Sequence, residues 1–363
     1  MKDLPSILAA HHRLRAAGEE TLLVTLVHTE GSTYRRAGAR MLVLPGCQTL
    51  GTISGGCLEP QVARDAFAAT RGSSAAATRA VLTVDNSADE DSWGPASGCH
   101  GRLTLLAERF PATGPCPPLD MVAEVRRLQR AAVAGHFFAR DAAGALAAVS
   151  PPTTARWAAE IATTLANAAS RWVEHEAIAA FLEVIAPPPH LLLFGAGNDA
   201  QPVARMAAEL GWAVTVVDSR ARLATAERFP AAEVVSAAGP DALPDLLRAH
   251  SAAVLMSHRF ADDATALAHL LPRSLPYIGL LGPRRRTQRL LDHLRAAGQE
   301  ATAAQLAAVH SPIGLDLGST SPETIALAIV AEIQATLAQR IPSPLHTRTG
   351  PLLPPTTSPS AAR

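Results

Sequence analysis

The chain has 363 residues, enough for two ordinary domains with separate cores. Hydrophobic residues make up 48% and charged residues 18%, a globular composition, and Lys+Arg and Asp+Glu balance at 32 each. That balance leaves no overall electrostatic footprint for nucleic acid or an acidic membrane, the 4% of aromatic residues weighs against a base-stacking platform, and no run approaches the ~20 apolar residues of a membrane span.

The first segment, "MKDLPSILAAHHRLRAAGEE", carries an early Asp3 and no uninterrupted apolar core, so it does not read as a secretory signal. Its Leu4, Ile7, Leu8 and Leu14 predict a short amphipathic helix, and the expected compartment is the cytoplasm. "TLLVTLVH" reads as a buried strand, followed by "RMLVLPG" and "QTLGTIS" as two short strands around a turn at Pro45 and Gly46. "CLEPQVARDAFAATR" predicts a helix with Pro60 in its first turn. "RAVLTV" and "RLTLLAE" are further strands, separated by the polar loop "DNSADEDSWGPASGCHG". "FPATGPCPP" is a linker by composition, and "LDMVAEVRRLQRAAVAG" and the Ala-rich part around 155–170 are helical in pattern.

The prolines at 187–189 mark a domain boundary, after which strands and helices alternate. "HLLLFGAG", "WAVTVVD", "AEVVS", "AAVLMS" and "LPYIGLLG" are strands with helical segments between them, the sign of a doubly wound parallel sheet. "SPETIALAIVAEIQATLAQR" predicts a last helix with Ser321 as N-cap, Pro322 at the first helical position and Glu323 in the first turn. The expected fold class is α/β, an N-terminal α+β domain with a connecting helical segment over 1–188 and a Rossmann-like domain over 189–340. The Pro-, Ser- and Thr-rich residues 341–363 are expected to be disordered.

The chemistry-bearing motifs fall in both halves. "LLLFGAGNDA" places Gly195, Gly197 and Ala200 in a G-x-G-x-x-A arrangement straight after a strand, where glycines allow a tight turn and a close approach of backbone N–H groups to a phosphate. Asp218 ends the next strand, 23 residues after Gly195, where a carboxylate can hold a ribose hydroxyl, while Arg220 and Arg222 beside it suit a further phosphate. "VLMSHRFADD" puts Ser257 and His258 at the carboxyl end of a strand, with Asp263 placed either to cap the next helix or to orient the histidine. "YIGLLGPRRRT" sets Gly279 and Gly282 before Arg284, Arg285 and Arg286 at a helix start, a cationic cluster that the macrodipole disfavours unless an anion is present.

In the first domain, "GSTYRRAGARM" arranges Ser32, Thr33, Arg35, Arg36 and Arg40 around Gly31 and Gly38. That suits a phosphate or an acidic group as well as a solvated surface. In "GTISGGCLEP", Gly55 and Gly56 turn the chain from strand to helix, Cys57 sits at or near a helix N-terminus, and Glu59 lies in the first turn. "SGCHG" repeats the theme around Cys99 and His100. The four cysteines, Cys47, Cys57, Cys99 and Cys116, form no C-x-x-C pair and are expected to be free thiols; each glycine-loop cysteine reads either as a small buried residue or as a presented thiol.

Together "GSTYRRAGARMLV", "GTISGGCLE", "LLLFGAGNDAQPVARMAAELGWAVTVVDSR", "SHRFADD", "YIGLLGPRRRT" and "IGLDLGSTSPETIALAIVAEI" resemble the XdhC/CoxI family of molybdenum-enzyme maturation factors. The resemblance implies a homodimeric factor that binds molybdenum cofactor (molybdopterin), supports its sulfuration and delivers it to a xanthine or CO dehydrogenase-type molybdoenzyme, with a cysteine desulfurase as a further partner. It implies cofactor contacts by the glycine-loop cysteines, Cys57 and Cys99, with Cys57 as the candidate for touching the metal. A nucleotide in the Rossmann-like domain is a second candidate ligand. This chain departs from the family pattern at Tyr34, where a proline is usual, and at "GCHG", where Cys-Gly-Gly is more frequent. A carrier of this kind need not catalyse a covalent step. The alternatives are an NAD(P)-dependent oxidoreductase built on Gly195, Gly197 and Asp218 with His258 as the acid, and a nucleotide-responsive regulatory protein on the same fold.

Overall fold

A computed structural model describes residues 3–31, 33–71, 78–85, 101–248 and 251–349. The chain divides into two compact units, one running from Asp3 to Pro187 and the other beginning at Pro188.

The first unit opens with helix α1 (Asp3–Ala16), whose Leu4, Ile7, Leu8 and Leu14 are buried. Strand β1 (Thr21–Gly31) is the centre of a five-stranded antiparallel sheet completed by β2 (Arg40–Val43), β3 (Thr49–Gly51), β4 (Thr78–Asp85) and β5 (Gly101–Phe110), in the order β3-β2-β1-β5-β4. Helix α2 (Glu59–Ala69) covers one face through Val62, Ala63 and Ala66, against Val24, Met41 and Leu105. Helix α3 (Pro117–Leu128) joins α1 on another part of the sheet, where Leu119 and Val122 pack with Ile7, Leu23 and Phe110. Cys116, in the segment read as a linker, is buried in that same core.

The two stretches read as helical in the connecting segment contain helices, over Pro117–Leu128 and Ala155–Ala166, but they are joined by strands that the sequence pattern does not predict. Helix α3 ends at Leu128, and a second antiparallel sheet follows: β6 (Ala132–Arg140), β7 (Leu146–Val149), β8 (Arg171–His175) and β9 (Ile178–Ile185), in the order β7-β6-β9-β8. Only α4 (Ala155–Ala166) is helical there, with Trp157 packed on Phe137, Val173 and Leu182. Alanine favours helix in isolation, but here burial of Phe137, Phe138, Trp172 and Phe181 decides.

The two sheets of this unit are pinned by a buried ion pair. Arg40 on β2 donates two hydrogen bonds to Glu183 on β9, at 2.7 and 2.6 Å, and His136 on β6 lies 3.3 Å from the same carboxylate. Arg40 and Glu183 are both 2% exposed. Burial alone would raise the Glu183 pKa, and Arg40 and His136 reverse this and lower it. Gly38, at φ +95°, stands so close that a Cβ there would meet Glu183 Oε1 at 3.1 Å.

The second unit is a Rossmann-like sheet. Strands β10 (His190–Phe194), β11 (Ala213–Val217), β12 (Val234–Ser236), β13 (Ser251–Leu255), β14 (Tyr277–Leu280) and β15 (Val309–His310) are all parallel, in the order β12-β11-β10-β13-β14-β15. Helices α5 (Ala200–Glu209) and α10 (Pro322–Leu337) cover one face. Helices α7 (Phe260–Leu270) and α8 (Arg284–Ala296) cover the other, and α6 (Leu243–Leu246) and α9 (Ala303–Ala307) are short. Ser321 caps α10 in a capping box with Thr324, as its sequence predicts. The strand order reverses between β10 and β13, the crevice where such sheets hold ligands. Beyond α10 the tail includes a short 3-10 turn, Leu345–Thr347, and residues 350–363 lie outside the described residues. Among the described residues no helix is long and apolar enough to cross a membrane.

Removing one partner of the Arg40–Glu183 pair leaves an uncompensated buried charge. Arg40→Met is expected to cost about 3–5 kcal/mol in urea denaturation, and adding Glu183→Leu to it is expected to recover most of that loss.

Candidate functional site

The predicted site residues gather in two places, one in each unit. In the first unit the segment Ile53–Leu58 leads into α2, and Glu59, although 3% exposed, carries its charge inward. Its Oε1 accepts from the backbone N–H groups of Ile53, Ser54 and Gly55 at 2.9, 2.9 and 3.2 Å. Its Oε2 accepts from Gly56 N–H at 2.9 Å and from the Ser54 hydroxyl at 2.6 Å. Burial would raise this carboxyl's pKa, but the Ser54 hydroxyl and the loop N–H groups outweigh it and bring it down to about 2. Glu59 is therefore a positioning residue that wraps the loop around itself, not a group free to touch a ligand or serve only the helix dipole.

The wrap requires Gly55 and Gly56, which sit at φ +112° and +115°, where a side chain is strained. Gly55 is also crowded by Tyr34, whose ring carbons lie 3.0–3.4 Å from where its Cβ would stand. Nothing lies within 4 Å of the equivalent point on Gly56. Cys57 is exposed, and its Sγ donates to Ser54 Oγ at 3.6 Å. Of the two sequence alternatives for Cys57, buried filler and presented thiol, the structure shows the exposed one; Cys116 is buried, with burial pushing its pKa up to about 12. The three cysteines among the described residues are free.

The Tyr34 contact brings the segment that begins at Thr33 against the cysteine loop. Within it Thr33 Oγ1 donates to the Arg35 carbonyl at 3.0 Å, and Arg35 pairs with Asp3 of α1 at 3.2 Å. Arg40, read with this group, is held by Glu183 instead. Ser32 and Cys99 lie outside the described residues. No group of three or more His, Cys, Asp or Glu able to hold a metal occurs among the described residues.

In the second unit Gly195, Gly197, Asp218, His258, Gly282, Arg284 and Arg285 all follow the carboxyl ends of strands. Gly195, at φ +119°, lets β10 pass β13 so closely that a Cβ would stand 2.4 Å from the Met256 carbonyl oxygen. Asp218 departs from the ribose role: it is 2% exposed, accepts from Ala196 N–H at 2.7 Å and is clamped by Arg220 at 2.8 and 2.6 Å. Asp263 departs from both roles suggested for it. It is 1% exposed, accepts from the Ser257 hydroxyl at 2.5 Å and pairs with Arg286 at 2.8 Å. The partner of His258 is Asp199, at 2.8 Å across the switch-point crevice. His258 holds a left-handed φ of +61°, an uncommon conformation for a non-glycine residue. Arg228, beside them, donates to the Asn198 amide oxygen at 3.0 Å.

Sequence proximity favoured Asp263 over Asp199 as the histidine's partner. The signal available for Asp199 was its place at the start of α5, two residues after Gly197, where the turn after β10 must face the turn after β13. At the start of α8, Asp263 neutralises Arg286, while Arg284 and Arg285 are exposed with φ +120° at Gly282 before them. The arrangement as a whole offers a rigid thiol-bearing loop in one unit and a polar, arginine-rimmed strand edge in the other.

Comparison with known proteins bears on both units. The family model described as "XdhC Rossmann domain" matches residues 191–333, and that described as "XdhC and CoxI family" matches residues 14–84. A Bacillus subtilis relative, named as a probable subunit of xanthine dehydrogenase, is 31% identical over 329 residues, 87% of this chain and 92% of its own length. The molybdenum cofactor insertion chaperone PaoD of Escherichia coli is 24% identical, over 87% of this chain and 83% of its own. A crystal structure described as a xanthine dehydrogenase from Bacillus halodurans superimposes with a TM-score of 0.72 at 26% identity, covering 92% of this chain and 96% of that one.

Glu59→Gln keeps the side chain's shape but replaces an acceptor oxygen with an N–H donor facing the loop's N–H groups, and is expected to cost about 2 kcal/mol in urea denaturation. The Glu59 pKa is about 2 in the folded chain against an ordinary 4.5, so its stabilisation is complete above pH 4.5 and is lost as the pH falls through 2. The stability gap between wild type and Glu59→Gln should therefore narrow steadily as denaturation is repeated from about pH 5 down to about pH 3.

Proposed function

This chain belongs to the XdhC and CoxI family, and on that premise we propose that it is a maturation factor that binds molybdenum cofactor, supports its sulfuration and delivers it to a xanthine or CO dehydrogenase-type molybdoenzyme. The observation that carries the reading is the Cys57 loop. It lies within the segment matched by the family model and holds an exposed thiol on a backbone fixed by Glu59. A soft sulfur ligand suits a metal bound by dithiolene, and a fixed loop holds cargo without needing a reaction step. The name of the Escherichia coli relative, an insertion chaperone, supports the same reading.

In this proposal Ser32, Thr33, Arg35, Gly55, Gly56, Cys57 and Cys99 line the cofactor, Cys57 is the residue that meets the metal, and Glu59 holds the loop in shape. Gly195, Gly197, His258, Gly282, Arg284 and Arg285 serve the phosphate of a nucleotide at the strand edge of the second unit. Asp218 and Asp263 hold the turns that carry them. The protein works as a cytoplasmic homodimer, with a cysteine desulfurase supplying the sulfur. The dehydrogenase alternative is disfavoured because both Asp218 oxygens are already bonded to Ala196 and Arg220, leaving the ribose hydroxyls without their acceptor.

Purification from cells that make the cofactor, followed by fluorescence assay of released pterin, is expected to find pterin with the wild-type chain and several-fold less with Cys57→Ala. Absence of pterin from the wild type, even with the client dehydrogenase coexpressed, would sink the proposal. Equal retention by Cys57→Ala would remove that residue from the contact.

A further inference from the structure

The loop before α2 offers a ligand something other than its glycines suggest. The N–H groups of Ile53, Ser54, Gly55 and Gly56 all point at Glu59, so none of the four is left to cradle a phosphate oxygen. What the loop does present is soft and apolar. Gly56 is bare, with nothing within 4 Å of its missing Cβ, and Cys57 next to it is exposed. Tyr34 leans on Gly55 through the Cδ1–Cε1 side of its ring, yet the residue is 69% exposed. The chain has only two tyrosines, and the other, Tyr277, is fully buried with its hydroxyl bonded to Glu332.

An exposed aromatic ring from the segment after β1 therefore leans on Gly55, which is followed by a bare glycine and an exposed thiol along a backbone that Glu59 holds. This is the makeup of a stacking site: a flat partner gains contact area and favourable ring geometry, and the ring it stacks on is already placed. We propose that Tyr34 is the stacking residue of the cysteine loop and takes the fused heteroaromatic ring of the ligand on its exposed surface, leaving the ligand's phosphate to groups outside Ile53–Gly56. The inference rests on the cargo reading above and deepens it, assigning the ring end of the ligand to this loop. It also gives a role to a residue where the family pattern usually has proline.

The test uses the full-length chain and two separate titrations, one with free pterin, which lacks a phosphate, followed by its fluorescence, and one with guanosine monophosphate followed by calorimetry. Wild type and Tyr34→Phe are expected to bind pterin alike, Tyr34→Trp at least as tightly, and Tyr34→Ala about 10-fold more weakly or worse. Because Tyr34 is exposed, circular dichroism of Tyr34→Ala should match wild type. Rescue by Phe and Trp, but not Ala, is a pattern that a mere loop-packing role does not produce. Equal pterin affinity in Tyr34→Ala and wild type overturns the stacking inference and leaves the cargo reading standing. Tyr34-dependent binding of guanosine monophosphate with no binding of pterin supports stacking but overturns the pterin cargo. Binding of neither probe by the wild type overturns the stacking inference.

Discussion

A carboxylate that is 3% exposed must have its charge met by the protein, and Glu59 meets it with the backbone of the loop directly before it. Most of what is distinctive about the first unit follows. Four successive N–H groups can converge on one side chain only if the chain curls, and the curl demands left-handed backbone at Gly55 and Gly56. With the donors turned inward, Cys57 is left on the outer side, and the space over Gly55 is open for Tyr34 to occupy. The thiol's exposure is thus a consequence of satisfying a buried acid.

The same device recurs. Asp218 reaches back to the N–H of Ala196 between the two glycines of the Rossmann turn, and Asp263 anchors Ser257 at the next strand end while neutralising Arg286. Glu183 stands behind Gly38 and Arg40. Each of these acids lies beneath a glycine-bearing or strand-end turn, and each has its oxygens engaged within the protein. Such acids stiffen the turns but are unavailable for proton transfer or for hydroxyl recognition. That distinguishes the second unit from a dinucleotide-dependent oxidoreductase with the same strand order, whose acidic residue at the end of the second strand must be open to the ligand.

Strong periodicity made the fold of the second unit legible in the sequence. Runs such as "HLLLF" and "AVTVV" are buried on both faces, and the glycine turn after the first of them marks the strand edge. Strand β15 escaped notice because two residues carry no pattern. The sheet over 132–185 escaped because its strands are diluted by alanine, so that "AVAGHFFAR" shows neither a helical nor an alternating period clearly. Of the sites, residue types and positions were readable but partnerships were not. Glu59 was visible as a first-turn acid, yet its hydrogen bonds to residues three to six positions earlier depend on glycine torsions that composition does not encode. His258 and Asp199 are 59 residues apart and meet only because β10 and β13 are neighbours in the sheet.

On the proposed reading, this architecture also bears on release. A carrier that cradled its cargo's phosphate in four backbone N–H groups would have to break charged hydrogen bonds in a desolvated nest each time it let go. Here the four N–H groups of Ile53–Gly56 are filled by Glu59, so the grip of the cysteine loop shifts to stacking and a sulfur contact. Stacking is sequence- and substituent-tolerant, and a thiolate ligand can be exchanged for another soft donor supplied by the recipient. Rigidity keeps the ordering cost of binding low, while the engagement of four N–H groups by Glu59 limits the affinity. The combination suits a protein whose task is to hold a ligand and hand it on, and it places the remaining grip on the charged end of the ligand with residues outside the loop.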